Sequence, residues 1–261
     1  MPRTAIHTHD KFIDIQGDSL FVRTWVPGDI REQVPLVLLH DSLGCVALWK
    51  EFPEALAKEL RRPIIAYDRL GYGQSGIRKD RLSSDFMREE VKVFSLIREA
   101  LGFEDYALFG HSTGGSIALE VAAMDVTRCV AVITESAHAF VESRTLDGVR
   151  AARVRFANQE KFERLIKQHG DKARWVLDAW ITTWLSPAFS EWSLAEALPG
   201  IQCPVVAFHC RDDKYGSPVH AQVIADTSGG EAILLEGCGH IPHKNWEREV
   251  IEKIKEVLES K

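Results

Sequence analysis

The sequence has no segment that marks a protein for export or for membrane insertion. Its first residues, MPRTAIHTHDKFIDI, include no apolar stretch of the kind that signal peptides carry, and no later run approaches the length of a membrane span. Basic residues are not in excess either, because the formal net charge is −6, and nucleic-acid binding needs a basic surface. We therefore expect a cytoplasmic protein that binds neither a membrane nor nucleic acid.

Cysteine is scarce, and no two cysteines form a C-x-x-C pair. An odd number of cysteines without this spacing predicts neither a disulfide framework nor a zinc site. The sequence also lacks internal repeats and low-complexity segments. The cysteines are Cys45, Cys129, Cys203, Cys210 and Cys238.

Six short apolar runs are the main sign of regular structure. Each run is continuous rather than alternating, which is typical of strands buried on both faces of a parallel sheet. Helical patterns lie between most of the runs, for example over residues 86–101, where Gly102 marks the end, and over residues 246–258. The runs are PLVLLH (35–40), PIIAYD (63–68), YALFG (106–110), CVAVIT (129–134), PVVAFH (204–209) and AILLEG (232–237).

The N-terminal region adds two further strands to this pattern. The segments FIDI and LFVRTWV, separated by QGDS, indicate a hairpin at the edge of the sheet. Strands that alternate with helices indicate a parallel α/β arrangement. We therefore predict an α/β fold with a mostly parallel sheet of about eight strands flanked by helices.

The interval between CVAVIT and PVVAFH is far longer than a strand–helix–strand crossover requires. Residues 139–198 carry helical patterns, and we predict that they form a helical insertion over the end of the sheet, with 1–138 and 199–261 as the core domain. Trp180 and Trp184 are four residues apart and so share one helical face. We name both as substrate-pocket residues, with packing inside the insertion as the more common role of such tryptophans. The basic residues of the insertion, Arg155 among them, are nearly balanced by acids, so we expect most of them to be solvated.

Residues 110–114 read Gly-His-Ser-Thr-Gly, between an apolar run and a helical pattern. At a strand-to-helix turn, G-x-S-x-G is the pattern of a nucleophile elbow, in which a strained serine presents its hydroxyl at the carboxyl edge of the sheet. Ligands and catalytic groups of open α/β sheets gather at this edge. We therefore predict Ser112 as a nucleophile, and the alternative is an ordinary turn serine.

A serine nucleophile needs a base, and the base needs an acid. His240 follows the last predicted strand within CGHIPH, and His243 is its competitor three residues on. Asp212 and Asp213 follow the preceding strand, so that the order is serine, aspartate, histidine. Adjacent side chains point in different directions, and we favour Asp213 as the acid and Asp212 as a solvated turn residue.

The negative charge that forms during acyl transfer needs backbone N–H donors, which form an oxyanion hole. One donor is predicted at Thr113, the residue after the nucleophile, and the other at Ser42, in the loop HDSLG after the first core strand. The alternative for this loop is a polar strand-to-helix turn. Asp41 stands beside Ser42, and we expect its carboxylate to face the loop and to cap backbone N–H groups.

Over nearly its whole length the chain resembles the serine-nucleophile members of the α/β-hydrolase family. The segment AYDRLGYGQSG (66–76) is similar to the family's D-x-x-G-x-G-x-S loop, GHSTGG to its elbow, and CGHIPH to its histidine loop. The insertion resembles the family's helical cap, and Asp68 and Arg69 are expected to brace loops. Two positions depart from the family pattern: Asp41 replaces a glycine of the oxyanion loop, and Cys210 stands where a glycine often precedes the acid.

The resemblance implies a hydrolase of a carboxylic ester, thioester or lactone that needs neither a metal nor a cofactor. The substrate we expect is a small molecule with a mainly apolar acyl group. A serine at the elbow argues against dehalogenase and epoxide hydrolase chemistry, for which this family uses an aspartate. Carbon–carbon bond hydrolases, cofactor-free haloperoxidases and lyases share the same triad. A poorly catalytic ligand-binding receptor of the same fold is the alternative from another class.

Overall fold

The computed structural model describes residues 5–28 and 33–259. Within these residues the strands are β1 (Ile6–Ile15), β2 (Asp18–Pro27), β3 (Leu36–Leu39), β4 (Ile64–Tyr67), β5 (Tyr106–His111), β6 (Cys129–Glu135), β7 (Val205–Cys210) and β8 (Glu231–Leu235). They form one sheet in the order β1-β2-β4-β3-β5-β6-β7-β8. The predicted mostly parallel sheet of eight strands is therefore confirmed.

The predicted N-terminal hairpin forms the edge of this sheet. β1 and β2 pair antiparallel from Ile6 opposite Pro27 to Ile15 opposite Asp18. The two-residue turn between them, Gln16 and Gly17, has positive φ at both positions, a geometry that suits the right-handed twist of the strands. β2 also pairs antiparallel with β4, and the strands from β4 through β3 to β8 are parallel to one another.

Helices cover both faces of the sheet. They are α1 (Phe52–Leu60), α2 (Phe86–Leu101), α3 (Thr113–Met124), α4 (Ser143–Phe156), α5 (Gln159–His169), α6 (Ala173–Trp184), α7 (Val219–Ser228), α8 (Pro242–Asn245) and α9 (Glu247–Glu259). Short 3₁₀ turns lie at Val46–Trp49, Gly170–Lys172, Pro187–Phe189 and Leu198–Gly200. α2 matches the predicted helix, and Gly102 ends it in the left-handed conformation with φ 74°.

Strand β3 shows why the central runs are continuously apolar. Leu36 and Leu38 belong to the hydrophobic core that also contains side chains of α1 and α9. Val37 and Leu39 point the other way, into the core that contains side chains of α2, α3 and α7. Because successive residues of a strand alternate between faces and both faces are covered here, every position of β3 must be apolar.

Three of the helices, α4 to α6, lie between β6 and β7, within residues 139–198, which we call the helical segment. Its buried side chains include Val149, Leu177 and Trp184, and they join the same core as the α2 and α3 side of the sheet. No helix in the described part of the chain is both long and apolar enough to cross a bilayer.

The expectation of no disulfide is wrong for one pair of cysteines. Cys210, at the end of β7, is bonded to Cys238, in the loop after β8, and their Cα atoms are 5.8 Å apart. β7 and β8 are parallel neighbours, so the loops after them leave the sheet side by side. The sequence separation of 28 conceals this proximity in the sequence.

Candidate active site

Ser112 stands at a sharp turn between β5 and α3. Its backbone has φ 53° and ψ −121°, and its N–H donates to the carbonyl of Glu135 at 2.8 Å. A positive φ in a residue with a side chain stores strain on the order of 1–3 kcal/mol and is common at functional turns. The flanking glycines are required, because a Cβ on Gly110 would collide with the Gly114 carbonyl and one on Gly114 with the Leu39 carbonyl.

His240 and Asp213 form a hydrogen-bonded pair at the same sheet edge. Nδ1–H of His240 donates to Oδ2 of Asp213 at 2.7 Å, and the other carboxylate oxygen accepts from the Tyr215 N–H at 2.8 Å. Asp212 is exposed, and its carboxylate accepts instead from the Gly239 N–H at 3.2 Å. A carboxylate held in this way fixes the Nδ1–H tautomer and leaves Nε2 of the imidazole as the basic atom.

The pair changes the acidity of both groups. Burial by itself would lower the pKa of His240, but the hydrogen bond and the charge of Asp213, with the charges of Asp41 and Glu135, outweigh burial and raise it. Burial would likewise raise the pKa of Asp213, but the hydrogen bond and the charge of His240 prevail and lower it to about 2. The carboxylate therefore stays ionised, and the imidazole is a stronger base than an ordinary histidine.

Ser112 and His240 line one cavity of about 220 Å³, which we call the serine cavity. No hydrogen bond joins the two side chains within the described structure, a separation that is common when no substrate is bound. The His240 backbone is held at this edge because its carbonyl accepts from Nε2–H of His111 at 2.7 Å. The arrangement therefore brings a serine hydroxyl and a carboxylate-supported histidine to the same space.

Ser42 and Thr113 lie next to Ser112 on the wall of the serine cavity. Both are buried, and their hydroxyl oxygens are 2.5 Å apart. In the described residues, neither backbone N–H has an acceptor in the protein. Thr113 opens α3, and the first N–H groups of a helix have no partner inside it. Two unused amide donors therefore stand beside the serine.

The Asp41 carboxylate lies against its own loop, where a Cβ on Gly44 would collide with its Oδ1, but the predicted capping of backbone N–H groups is not seen in the described residues. The carboxylate accepts no hydrogen bond from a backbone N–H of the described residues, and it lines the serine cavity. The loop is held by other groups: the Asp41 carbonyl accepts from the Arg69 guanidinium at 2.8 Å, and Nε2 of His40 accepts from the Arg69 N–H at 3.1 Å. These bonds hold the backbone of the oxyanion loop against Arg69.

The loop from Asp68 to Ser75 has the bracing geometry that the sequence predicts for it. The buried Asp68 carboxylate accepts from the N–H groups of Val46, at 2.6 Å, and Gln74, at 2.7 Å. The Ser75 hydroxyl donates to the Asp68 carbonyl and accepts from the Phe21 N–H. These bonds tie the loop to the 3₁₀ turn that begins at Val46 and to strand β2.

The sequence model of the Alpha/beta hydrolase family matches residues 36–253, which include the elbow, the aspartate pair and the histidine loop. The chain belongs to this family.

Individual relatives of this alpha/beta hydrolase share either a part of its sequence or the whole of its fold. A proline iminopeptidase of Lactobacillus delbrueckii subsp. lactis is 34% identical over 95 residues, which are 36% of this chain and 32% of that protein. The matched part is thus about a third of the relative's length. Over whole chains the sequence identity is low, and only the fold is shared.

Two solved structures illustrate the shared fold. The proline iminopeptidase of Mycobacterium smegmatis superposes with a TM-score of 0.74 at 20% identity, covering 97% of this chain and 98% of that chain. The enol-lactonase of Burkholderia xenovorans superposes with a TM-score of 0.73 at 16% identity, covering 95% and 100% of the two chains.

The serine cavity lies between the sheet edge and the helical segment. Trp180 and Trp184, both in α6, line it, and Trp184 is also buried in the core. A larger cavity of about 470 Å³ adjoins it, and the two share the side chains of Asp41, His111 and Ile241. Each tryptophan therefore both lines the cavity and packs against the hydrophobic core, which are the two roles that the sequence left as alternatives.

Two further side chains of the serine cavity come from strand-end loops and were not predicted. His138 follows β6 and Tyr215 follows β7, and Nε2–H of His138 donates to the Tyr215 carbonyl at 2.9 Å. Burial lowers the pKa of His138 well below its usual value, so the ring is neutral and its Nδ1 is an acceptor. The sequence feature that could have identified these two residues is their position, because both follow an apolar run.

His243, the competing histidine, is bound elsewhere. Its Nδ1 lies 2.5 Å from Oε1 of the fully buried Glu135, and its N–H donates to Oε2 at 2.9 Å. Burial alone would raise the pKa of Glu135, but the charge and hydrogen bond of His243 lower it. The pair joins the histidine loop to the end of β6, beside the elbow.

One group of metal-ligand residue types occurs in the described part of the chain, at Cys210, Asp212 and Cys238. Their donor atoms lie within 4.8 Å of one another. Since the two sulfur atoms are bonded to each other in the disulfide, they are not thiolate ligands in this state.

Proposed function

We propose that this protein hydrolyses a carboxylic ester, thioester or lactone through an acyl-enzyme on Ser112. One observation supports the proposal: the strained elbow serine lines the same cavity as His240, which is hydrogen-bonded to Asp213, and two unused amide donors lie beside the serine. Serine, histidine and aspartate in these relations form a complete set for acyl transfer.

In the acylation step, Nε2 of His240 accepts the proton of the Ser112 hydroxyl as Oγ forms a bond to the substrate carbonyl carbon. The carbonyl oxygen becomes an oxyanion, which accepts hydrogen bonds from the N–H groups of Ser42 and Thr113. The bond to the leaving group then breaks, and His240 gives its proton to the departing alkoxide or thiolate. Asp213 stabilises the imidazolium that exists between the two transfers.

Deacylation repeats the sequence with water as the nucleophile. His240 accepts a proton from the water, whose oxygen bonds to the acyl carbon, and the same two amides bind the oxyanion. The bond to Oγ breaks and Ser112 recovers its proton from His240. An ester or thioester gives a carboxylic acid and the alcohol or thiol released earlier, whereas a lactone keeps its alcohol on the acyl group and gives a single hydroxy acid; no redox partner is needed.

In the same proposal, residues 139–198 act as a cap over a core domain of 1–138 and 199–261. The cap supplies Val149, Trp180 and Trp184 to the serine cavity, and these side chains suit a mainly apolar acyl group. The cavity volume of about 220 Å³ is below the range of about 300–1,000 Å³ that is typical of drug-sized ligands. A small acyl group therefore fits the proposal best.

A peptide substrate is the second candidate, because both a sequence relative and a structural relative are proline iminopeptidases. An N-terminal amine is a cation in neutral solution, and the charged side chain that the helical segment gives to the serine cavity is also a cation, Arg155. Like charges repel, so this residue favours the ester over the aminopeptidase substrate. Comparing nitrophenyl esters with proline nitroanilide separates the two candidates.

The test of the proposal is turnover on a panel of nitrophenyl esters, thioesters and lactones, with Ser112→Ala as the control. We expect multiple turnovers in the wild type and none above background in the variant. A receptor of the same fold would instead react with a fluorophosphonate but turn over little, and its ligand binding would survive the loss of the serine. Cleavage of carbon–carbon bonds with no ester hydrolysis would support the alternative chemistry of the family.

A further inference from the structure

The helical segment contributes one arginine, Arg155 of α4, to the serine cavity. The other cavity residues from this segment are Thr145, Val149, Trp180 and Trp184. None of these four carries a charge. Placing a charged guanidinium on such a wall costs free energy unless water or an anion lies beside it.

Arg155 has no carboxylate partner among the residues that the structure describes, and the same is true of Arg144, Arg153 and Arg174, whereas two other arginines of the segment are paired. Arg150, one turn away in α4, pairs with Asp147 at 2.8 Å, and Arg164 pairs with Glu160 at 3.2 Å. Arg150, Arg155 and Arg164 are all exposed, in agreement with the expectation that the arginines of the segment are solvated. Arg155 donates from Nη2 to the Tyr215 hydroxyl oxygen at 3.0 Å.

Tyr215 holds this guanidinium close to the reaction centre. Its N–H is bound by Asp213, and its ring meets the His240 ring edge-on, with 4.9 Å between the ring centroids. The ring also contacts Trp180, at 5.8 Å between centroids. Since the phenol oxygen accepts from Arg155, its own proton remains available to a ligand. Two donors, one of them charged, therefore stand together beside the catalytic pair.

The other charged side chain of the serine cavity is Asp41, which comes from the oxyanion loop on the sheet side. A ligand carboxylate is repelled by Asp41 and attracted by Arg155, so the two charges orient an anionic ligand in one direction. Arginine binds carboxylates through parallel N–H donors, which adds geometric selectivity to the attraction.

We propose that the substrate carries a carboxylate at the far end of its acyl group, and that Arg155 and Tyr215 bind this carboxylate. The substrate class is then the monoester, thioester or lactone of a short dicarboxylic acid with an apolar middle. This inference rests on the proposed function, since it names the substrate of the same cavity.

The first experiment compares kcat/KM for mononitrophenyl esters of dicarboxylic acids, from glutarate to suberate, with nitrophenyl esters of the matching monocarboxylic acids. We expect the wild type to prefer the carboxylate-bearing member of a pair, and high salt to weaken the preference. In Arg155→Gln the ratio of the two kcat/KM values should fall about tenfold, with partial recovery in Arg155→Lys. Arg150→Gln removes the same charge outside the cavity and should leave the ratio unchanged.

The second experiment measures binding without turnover. Calorimetric titration of monomethyl pimelate into Ser112→Ala protein should give a dissociation constant that rises about tenfold when Arg155→Gln is added. Absence of fluorophosphonate labelling in the wild type would contradict the proposed function but not the carboxylate site, because the titration does not depend on a reactive serine. An unchanged ester ratio, or an unchanged dissociation constant, in Arg155→Gln would overturn the assignment of the carboxylate site.

Discussion

Nδ1 of His240 lies 2.7 Å from Oδ2 of Asp213, whereas the neighbouring Asp212 binds the Gly239 N–H. The two adjacent aspartates thus offer a matched pair of substitutions. Asp213→Asn should lower kcat/KM by about 10³–10⁴-fold, because an amide holds the imidazole in the wrong tautomer. Asp212→Asn should stay within about threefold of the wild type, as expected for an exposed residue. A larger loss in Asp212→Asn than in Asp213→Asn would show that the acid is misassigned.

The raised pKa of His240 predicts the acidic limb of the pH–rate profile. Only the neutral imidazole accepts the serine proton, so kcat/KM falls as the pH decreases through this pKa. The midpoint should therefore lie above the usual histidine value of about 6.5. Asp41→Asn removes one of the negative charges that raise this pKa and should move the midpoint to lower pH. A midpoint at or below the usual value in the wild type would contradict the assigned environment.

His243 is predicted to act on stability and not on chemistry. His243→Gln leaves the buried Glu135 carboxylate without its partner and should lower the free energy of unfolding by about 3–5 kcal/mol. His240→Ala should instead abolish turnover with a much smaller change in stability. Denaturant unfolding and ester turnover, measured on both variants, test the contrast. Full activity in His240→Ala with none in folded His243→Gln would show that His243, and not His240, is the base.

The Cys210–Cys238 disulfide joins the loop of the acid to the loop of the base. Replacing both cysteines by serine should lower the free energy of unfolding by about 2–4 kcal/mol. Thermal melts in the presence of a reductant provide the control: the reductant should lower the Tm of the wild type and leave that of the double variant unchanged. Equal melting temperatures of all four samples would show that the bond does not contribute to stability.

The parts of this molecule that follow local patterns could be predicted from the sequence. Continuous apolar runs form the central strands, and the two residues Gln16 and Gly17 form the turn of the hairpin. The elbow was visible because Gly110, Ser112 and Gly114 are close neighbours in the chain. These features depend on the spacing of residues close together in the sequence, so their prediction does not require the packed fold.

The remaining features depend on which loops meet at the carboxyl edge of the sheet. Cys238 and Tyr215 lie far from their partners Cys210 and Arg155 in the sequence. The cysteines meet because β7 and β8 are neighbours, and Tyr215 meets Arg155 because α4 lies against the loop after β7. The backbone of the oxyanion loop is likewise held by Arg69, which lies 28 residues from Asp41 in the sequence. Such contacts follow from tertiary packing, for which the sequence has no local pattern.

The most direct test of the account is the site at which a fluorophosphonate attaches. Peptide mapping by mass spectrometry after labelling locates the modified residue in the wild type and in His240→Ala. The account predicts modification of Ser112 in the wild type, at a rate that falls by several orders of magnitude in His240→Ala because the base is absent. Modification of another residue, or an equal rate of labelling in the two proteins, would contradict it.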